Sequence, residues 1–285
     1  MKQDSQLKKS ILFSIFLLTF YFGGSYILSL IFKHYSISPT EVEGILISQL
    51  GLVLIPVIIY FLITRNSLVK TLKLYPINLM CLMKIILFTI CIQPLVMTVS
   101  AIGNLFFANH TTSVMLGLTN TLSYPAMLLL TAVLPAIIEE ISLRGIILSG
   151  FKGRPTFPSA VINGIIFAVL HGNVQQGLYA FVLGFIFVYL VNASGSIAAS
   201  MIAHFIINAS SVTLVYALSD VYRGLGSSSG SSQVTLSLAS QEALLAIGVL
   251  AILSIGFTFL AYLLYRSIKN QGKTFFKDRG NTITI

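Results

Sequence analysis

Apolar residues in this chain run in long stretches, separated by short breaks of charged and polar residues. A helix rises ~1.5 Å per residue, so about 20 mainly apolar residues cross the hydrocarbon layer of a bilayer. Eight stretches read as spans: 11–32, 45–64, 79–107, 122–150, 158–173, 177–193, 196–218 and 243–265. The expected fold is all-α, a polytopic membrane protein of about eight transmembrane helices. The fifth stretch is short for a span. The third and fourth are longer than a span requires and should tilt or kink, with Pro94 and Pro135 as the kink sites. The first stretch follows Lys8 and Lys9, yet its apolar run is too long for a signal peptide and no clean cleavage site follows, so it reads as a retained anchor. Between spans, residues 65–78 mix Leu68, Val69, Leu72 and Leu74 with basic residues, a pattern for a short amphipathic helix on the interface. Gly226 to Ser232 is a Gly/Ser run expected to be flexible. With no repeat and no inter-domain linker, residues 1–285 read as one membrane domain.

Composition agrees with the pattern. Apolar residues make up 56% of the chain and charged residues 9%, with a mean hydropathy of +0.92, which excludes a soluble globular domain. The net charge of +9 is distributed between spans and in the tail rather than on one basic helix, so the expected partner is membrane lipid and not nucleic acid. Charge also orients the chain. With the N-terminus inside, the inner segments hold Lys2, Lys8, Lys9, Arg65, Lys70, Lys73, Lys152, Arg154, Arg266, Lys269, Lys273, Lys277 and Arg279, and the outer ones only Lys33 and Arg223. The positive-inside rule therefore puts both termini in the cytoplasm. Lys84 sits near an inner helix end, where it can snorkel. Cys81 and Cys91 share one apolar segment and carry no information on redox compartment. Richness in isoleucine and lysine suggests the cell membrane of a low-GC bacterium.

Against this background three polar clusters stand out. Glu139 and Glu140 are adjacent in an apolar run whose only other charge is Arg144, although the whole chain has just eight acidic residues. A charge at mid-bilayer costs several kcal/mol, which makes intramembrane carboxylates candidates for function. Arg144 lies four residues beyond Glu140, on the same helix face, so it can pair with Glu140 and leave Glu139 free. The second cluster is Phe167 with His171, and the third is His204 with Asn208, each one helical turn apart. Counting ~1.5 Å per residue, Glu139 is ~20 Å from Lys152, His171 ~20 Å from Pro158, and His204 and Asn208 ~12 and ~18 Å from Ser196. The three groups thus share a depth and are expected to form one buried polar site in helices 4, 5 and 7. Gly145, Gly164, Gly172 and Gly184 would let neighbouring helices approach around it.

Each cluster also has a purely structural reading: a packing ion pair, a hydrogen-bonded histidine, an interhelical His–Asn pair. Their convergence in depth favours chemistry. A desolvated glutamate can act as general base toward water, and a nearby histidine can orient that water or ligate a metal that acidifies it. A second histidine with an asparagine can donate to the oxyanion of a scissile carbonyl. Such a set suits amide hydrolysis.

Glu-Glu-x-x-x-Arg, Phe-x-x-x-His and His-x-x-x-Asn, in that order on successive spans, resemble the CPBP (Abi) family of intramembrane proteases. That family includes the type II CAAX prenyl endopeptidases and bacteriocin-immunity proteins. The resemblance covers roughly residues 120–210, the protease core. It implies that Glu139 is the catalytic carboxylate, that His171 helps it activate water, that Glu140 and Arg144 support the site, and that His204 and Asn208 form an oxyanion or ligand group. The family is labelled metalloprotease. Glu139, His171 and His204 are the conceivable ligands of a divalent metal such as zinc, although there is no His-Glu-x-x-His to supply a ready ligand set.

Other readings explain less. Asn192-Ala193-Ser194-Gly195 resembles a rhomboid-type serine loop, with His204 or His171 as base, but leaves the glutamates idle. No Gly-x-Gly-Asp supports an aspartyl protease. A proton-coupled transporter would use the glutamates and histidines as a relay, yet the chain lacks repeats and other pore-lining polar residues. A non-proteolytic immunity or scaffold role is compatible with the resemblance. The expected partner is a peptide or protein substrate; nothing separates prenylated C-terminal peptides from leader peptides.

Overall fold

Backbone groups in hydrocarbon have no water to bond, so each apolar stretch closes its own hydrogen bonds as a helix. The computed structural model describes residues 2–221 and 241–277, and among these there are helices and no strand. The Gly226 to Ser232 run, Arg223 and Arg279 lie outside the described residues. The protein is an all-α polytopic membrane protein. Its helices are α1 (Lys2–His34), α2 (Glu41–Thr64), α3 (Leu68–Thr71), α4 (Leu79–Phe106), α5 (His110–Thr121), α6 (Tyr124–Ile147), α7 (Thr156–Leu170), α8 (Val174–Ser194), α9 (Ile197–Ala217) and α10 (Gln241–Lys277).

Seven of them are long and apolar enough to cross a membrane. The fifth expected span, 158–173, is α7, with only 15 residues, about 22 Å of helix, which is short of the ~30 Å hydrocarbon layer. α7 joins α8 through a short turn at His171 to Asn173. Gly172 takes φ 63 there, a left-handed conformation that lets the chain reverse immediately after His171. α7 and α8 then pack at glycine contacts, where a Cβ on Gly184 would lie 2.7 Å from the Gly164 Cα.

Burial identifies the centre. The apolar windows of α6 and α8 are 61% and 56% buried, against 17% for α1 and 6% for α10. α6, α8 and α9 thus form the core of the bundle, α7 closes it, and α10 packs along α4 at its edge.

Two of the central helices are interrupted by proline. α6 widens to a π-helix at Leu129–Val133, just before Pro135, and again at Ile141–Ile147; α2 does so at Ile47–Leu54, before Pro56. A proline lacks the N–H that would bond the carbonyl four residues earlier, so the ladder has to rearrange upstream. Pro94, by contrast, sits inside an unbroken α4, where Thr98 Oγ1 donates to the Pro94 carbonyl at 2.7 Å.

Residues 65–78 depart from the expected surface helix. Only Leu68–Thr71 is helical; beyond it Lys73 adopts φ 49 and the chain turns into the bundle. Leu72 is buried against Gly145 of α6. Lys73 Nζ donates to Asn192 Oδ1 at 3.2 Å, the Lys73 carbonyl accepts from Ile197 N at 3.3 Å, and Ser196 Oγ donates to the Tyr75 carbonyl at 2.6 Å. The segment is a strap across the ends of α8 and α9. Basic segments gather at this end of the bundle: Arg154 pairs with Asp4 at 3.2 Å, and Gln3 Nε2 donates to the Lys152 carbonyl at 2.8 Å.

Candidate functional site

Glu139 and Glu140 close the seven-residue α-helical stretch Leu134–Glu140, with a π-helical segment on either side of it. Adjacent residues on a helix point about 100° apart, so the two carboxylates diverge. Glu140 meets Arg144 at 2.9 Å, the expected pair, and both side chains are fully buried. The guanidinium spends its remaining surface on aromatic faces: its Cζ lies 4.6 Å from the Phe167 ring centroid and 5.2 Å from that of Phe187. Nε and Nη2 have no hydrogen-bond partner. Stacking on two rings accounts for a buried arginine that makes only one charged hydrogen bond.

His204 joins α9 to this pair. Its Nδ1 lies 3.1 Å from Glu140 Oε1, and because a carboxylate only accepts, Nδ1 is the donor. The ring is thereby held with Nε2 toward Glu139, 3.8 Å from Oε2. Phe167 and Phe187 hold the imidazole from the sides, each with ring centroids 5.8 Å away. Phe167, one turn before His171 in the motif, therefore touches Arg144, His204 and His171 together.

Glu139 is reached from a helix that the motifs do not include. Gln49 in the π-helical part of α2 donates through Nε2 to Glu139 Oε1 at 2.8 Å. His171, at the end of α7, sends Nδ1 to the Phe167 carbonyl at 2.7 Å. A carbonyl only accepts, so the neutral ring keeps its lone pair on Nε2. Glu139 thus lies between Gln49 and the His204 imidazole, with the Glu140–Arg144 pair one residue further along α6.

Asn208 is placed differently from its motif partner. Its Nδ2 donates to the Thr131 carbonyl in α6 at 3.2 Å, more than two helical turns before Glu139 and Glu140, which His204 contacts. The asparagine ties α9 to α6. Among the residues that sequence reasoning missed, Gln49 had a visible signal: with Ser48 it is a polar interruption inside the apolar stretch 45–64. Phe187 had none, because one phenylalanine in an apolar span looks like any other.

The metal question turns on the donor set. Among the described residues no three His, Cys, Asp or Glu side chains are grouped as metal ligands. Glu139 and His204 approach each other, but among the described residues His171 is not grouped with them as a third ligand. As arranged, the residues do not fit a resident zinc ion, and no step is derived through one.

The site thus places a buried carboxylate–imidazole cluster inside an all-α membrane bundle. The chain agrees with a known family over this part: residues 121–210 match the family described as Rce1-like, type II CAAX prenyl endopeptidase. All three motifs fall inside the matched range, and residues 121–210 belong with the CPBP/CAAX intramembrane proteases. Neither the curated proteins nor the solved structures give a significant match.

Proposed function

We propose that the protein is an intramembrane endopeptidase that hydrolyses a peptide bond of a membrane-associated substrate, with both termini on the cytoplasmic face. The observation that carries this reading is the position of Glu139. Its carboxylate is nearly buried, is not tied up by Arg144, and lies beside the imidazole of His204, whose other nitrogen is fixed by Glu140. That is the arrangement a general base requires. Glu139 takes a proton from water as the water oxygen bonds to the scissile carbonyl carbon. The proton is then delivered to the leaving nitrogen as the C–N bond breaks. His171 and His204 present Nε2 to this proton path, while Glu140 and Arg144 hold His204 and leave Glu139 unpaired by any cation.

Access is supported at the basic end. A groove of about 430 Å³, lined by Val57, Phe61, Arg65, Leu68, Leu72 and Ile141, runs between α2, the strap and α6. Ile141 follows Glu140 directly, so an apolar segment entering from the interface would meet the helix that bears the carboxylates.

The test uses the full chain in lipid nanodiscs and a panel of quenched-fluorescent peptides, some transmembrane and some ending in a farnesylated cysteine motif. Glu139→Gln, His171→Ala and His204→Ala are each expected to lower turnover on order of 10²-fold or more with the fold retained by thermal unfolding. Full activity in Glu139→Gln would overturn the reading, and proton-coupled uptake into liposomes lost in the same variants would replace it with transport.

A further inference from the structure

Gln49 lies in α2, outside the matched residues 121–210, yet it makes the shortest side-chain contact that Glu139 has. Its side chain is 9% exposed. Because a carboxylate can only accept, the amide is fixed with its NH₂ on Glu139 Oε1. The other end of the same planar group, Oε1, is buried and has no hydrogen-bond partner. Folds seldom leave a buried acceptor unsatisfied, and such an atom beside a reactive carboxylate points to a group that arrives with the reaction. An amide oxygen accepts and never donates, so the arriving group must carry hydrogen on N or O. The π-helical stretch Ile47–Leu54 supplies the local reason for the placement, since the extra residue per turn rotates Gln49 out of α-helical register.

Resting on the peptidase reading, we propose that Gln49 is a further catalytic residue that orients the hydrolytic water. Its Oε1 accepts one hydrogen of the water, and Glu139 accepts the other. With both hydrogens directed to acceptors, a lone pair of the water oxygen is aimed at the scissile carbonyl. The oxygen–carbon bond forms as one proton passes to Glu139, and that proton leaves on the departing nitrogen as the C–N bond breaks. The second hydrogen stays on the new carboxyl oxygen, and it is this one that Gln49 holds. The amide NH₂ meanwhile keeps Glu139 from rotating out of reach.

The test compares wild type, Gln49→Met and Glu139→Gln as full chains in nanodiscs, with the most rapidly cleaved peptide of the panel as probe. Methionine keeps the length of the side chain and removes both hydrogen bonds, so the thermal midpoint is expected to hold. The expected result is kcat lowered about 100-fold with KM within about twofold, the size of effect that one oriented acceptor or donor has on a reacting group. A second measurement adds dilute methanol. Methanol has a single O–H hydrogen, which Glu139 takes, so its attack does not use Gln49. In Gln49→Met the ratio of methyl ester to acid product should rise at least 10-fold. A kcat within threefold of wild type, a rise in KM alone, or equal loss of hydrolysis and methanolysis would each overturn the proposal. Loss in Glu139→Gln with normal Gln49→Met overturns this inference alone. A wild-type chain that cleaves no panel member, or a fully active Glu139→Gln, overturns the peptidase reading and this inference with it.

Discussion

The side-chain amide of Asn208 donates to the carbonyl of Thr131, 3.2 Å away, and Thr131 is the residue whose carbonyl Pro135 leaves without its helical partner. In water such a carbonyl would be hydrated; in a membrane another helix has to supply the donor. Asn208 therefore acts on the site through the backbone of α6. It fixes the helix that carries Glu139 and Glu140 against the helix that carries His204.

That relationship is open to a double-mutant test. Asn208→Leu should destabilise the protein by roughly 1 kcal/mol, the usual scale of an interhelical hydrogen bond in a bilayer. Pro135→Ala restores a backbone N–H for Thr131, so the added cost of Asn208→Leu should shrink toward zero in that background. Reversible unfolding in mixed micelles measures both. Equal costs in the two backgrounds would show that Asn208 does not serve this carbonyl.

The Glu140–Arg144 pair gives a second prediction. Both side chains are fully buried, and Arg144 stacks between Phe167 and Phe187. Removing one partner strands a charge, so Arg144→Met or Glu140→Leu alone should cost about 3–5 kcal/mol. The combination Glu140→Leu/Arg144→Met strands none and should recover most of that stability. Cleavage should remain lost in the double variant, because His204 no longer has an acceptor for Nδ1. A double variant that is stable and fully active would remove the pair from any supporting role.

Much of this site was legible before any fold was known, and the reason is energetic. Charged groups in hydrocarbon are costly, so Glu139, Glu140 and Arg144 announced themselves, and counting rises along the helices put His171 and His204 at a matching depth. The spans were legible too, because a long apolar run has few other fates. The π-helical segments were not. Two of them, Ile47–Leu54 and Leu129–Val133, precede a proline that removes one hydrogen bond, and how the ladder takes up the slack is a property of the packed bundle. The role of Asn208 was hidden for the same reason: its spacing from His204 put both on one face, but the partner it found was a carbonyl freed on another helix. The strap at residues 65–78 shows the complementary failure. Leu72 looked like one apolar side chain of a surface helix, whereas the absence of a side chain at Gly145 gave it a buried socket.

The donor geometry yields a third prediction. Since no three-ligand set is assembled by Glu139, His171 and His204, the proposed mechanism runs on water oriented by protein groups. Cleavage is expected to survive exhaustive chelation, and elemental analysis of the active protein should find zinc well below one per chain. Activity lost on chelation and restored by stoichiometric zinc would overturn this and require the histidines to close on a metal.

The strap provides a prediction about pH. Lys73 turns into the bundle, and burial together with the neighbouring Lys152 pushes its ammonium down to about 8. An unfolded lysine titrates near ~10.4, so between these values the unfolded chain binds the proton that the folded chain has lost. Stability should therefore rise as pH increases from about 8 toward that ordinary value, with the cost of burying the charge fully present below pH 8. Thermal midpoints of the full chain in nanodiscs across this window measure the slope. In Lys73→Met the group is gone, and the slope over this window should flatten. A slope unchanged in Lys73→Met would assign the titration to another group.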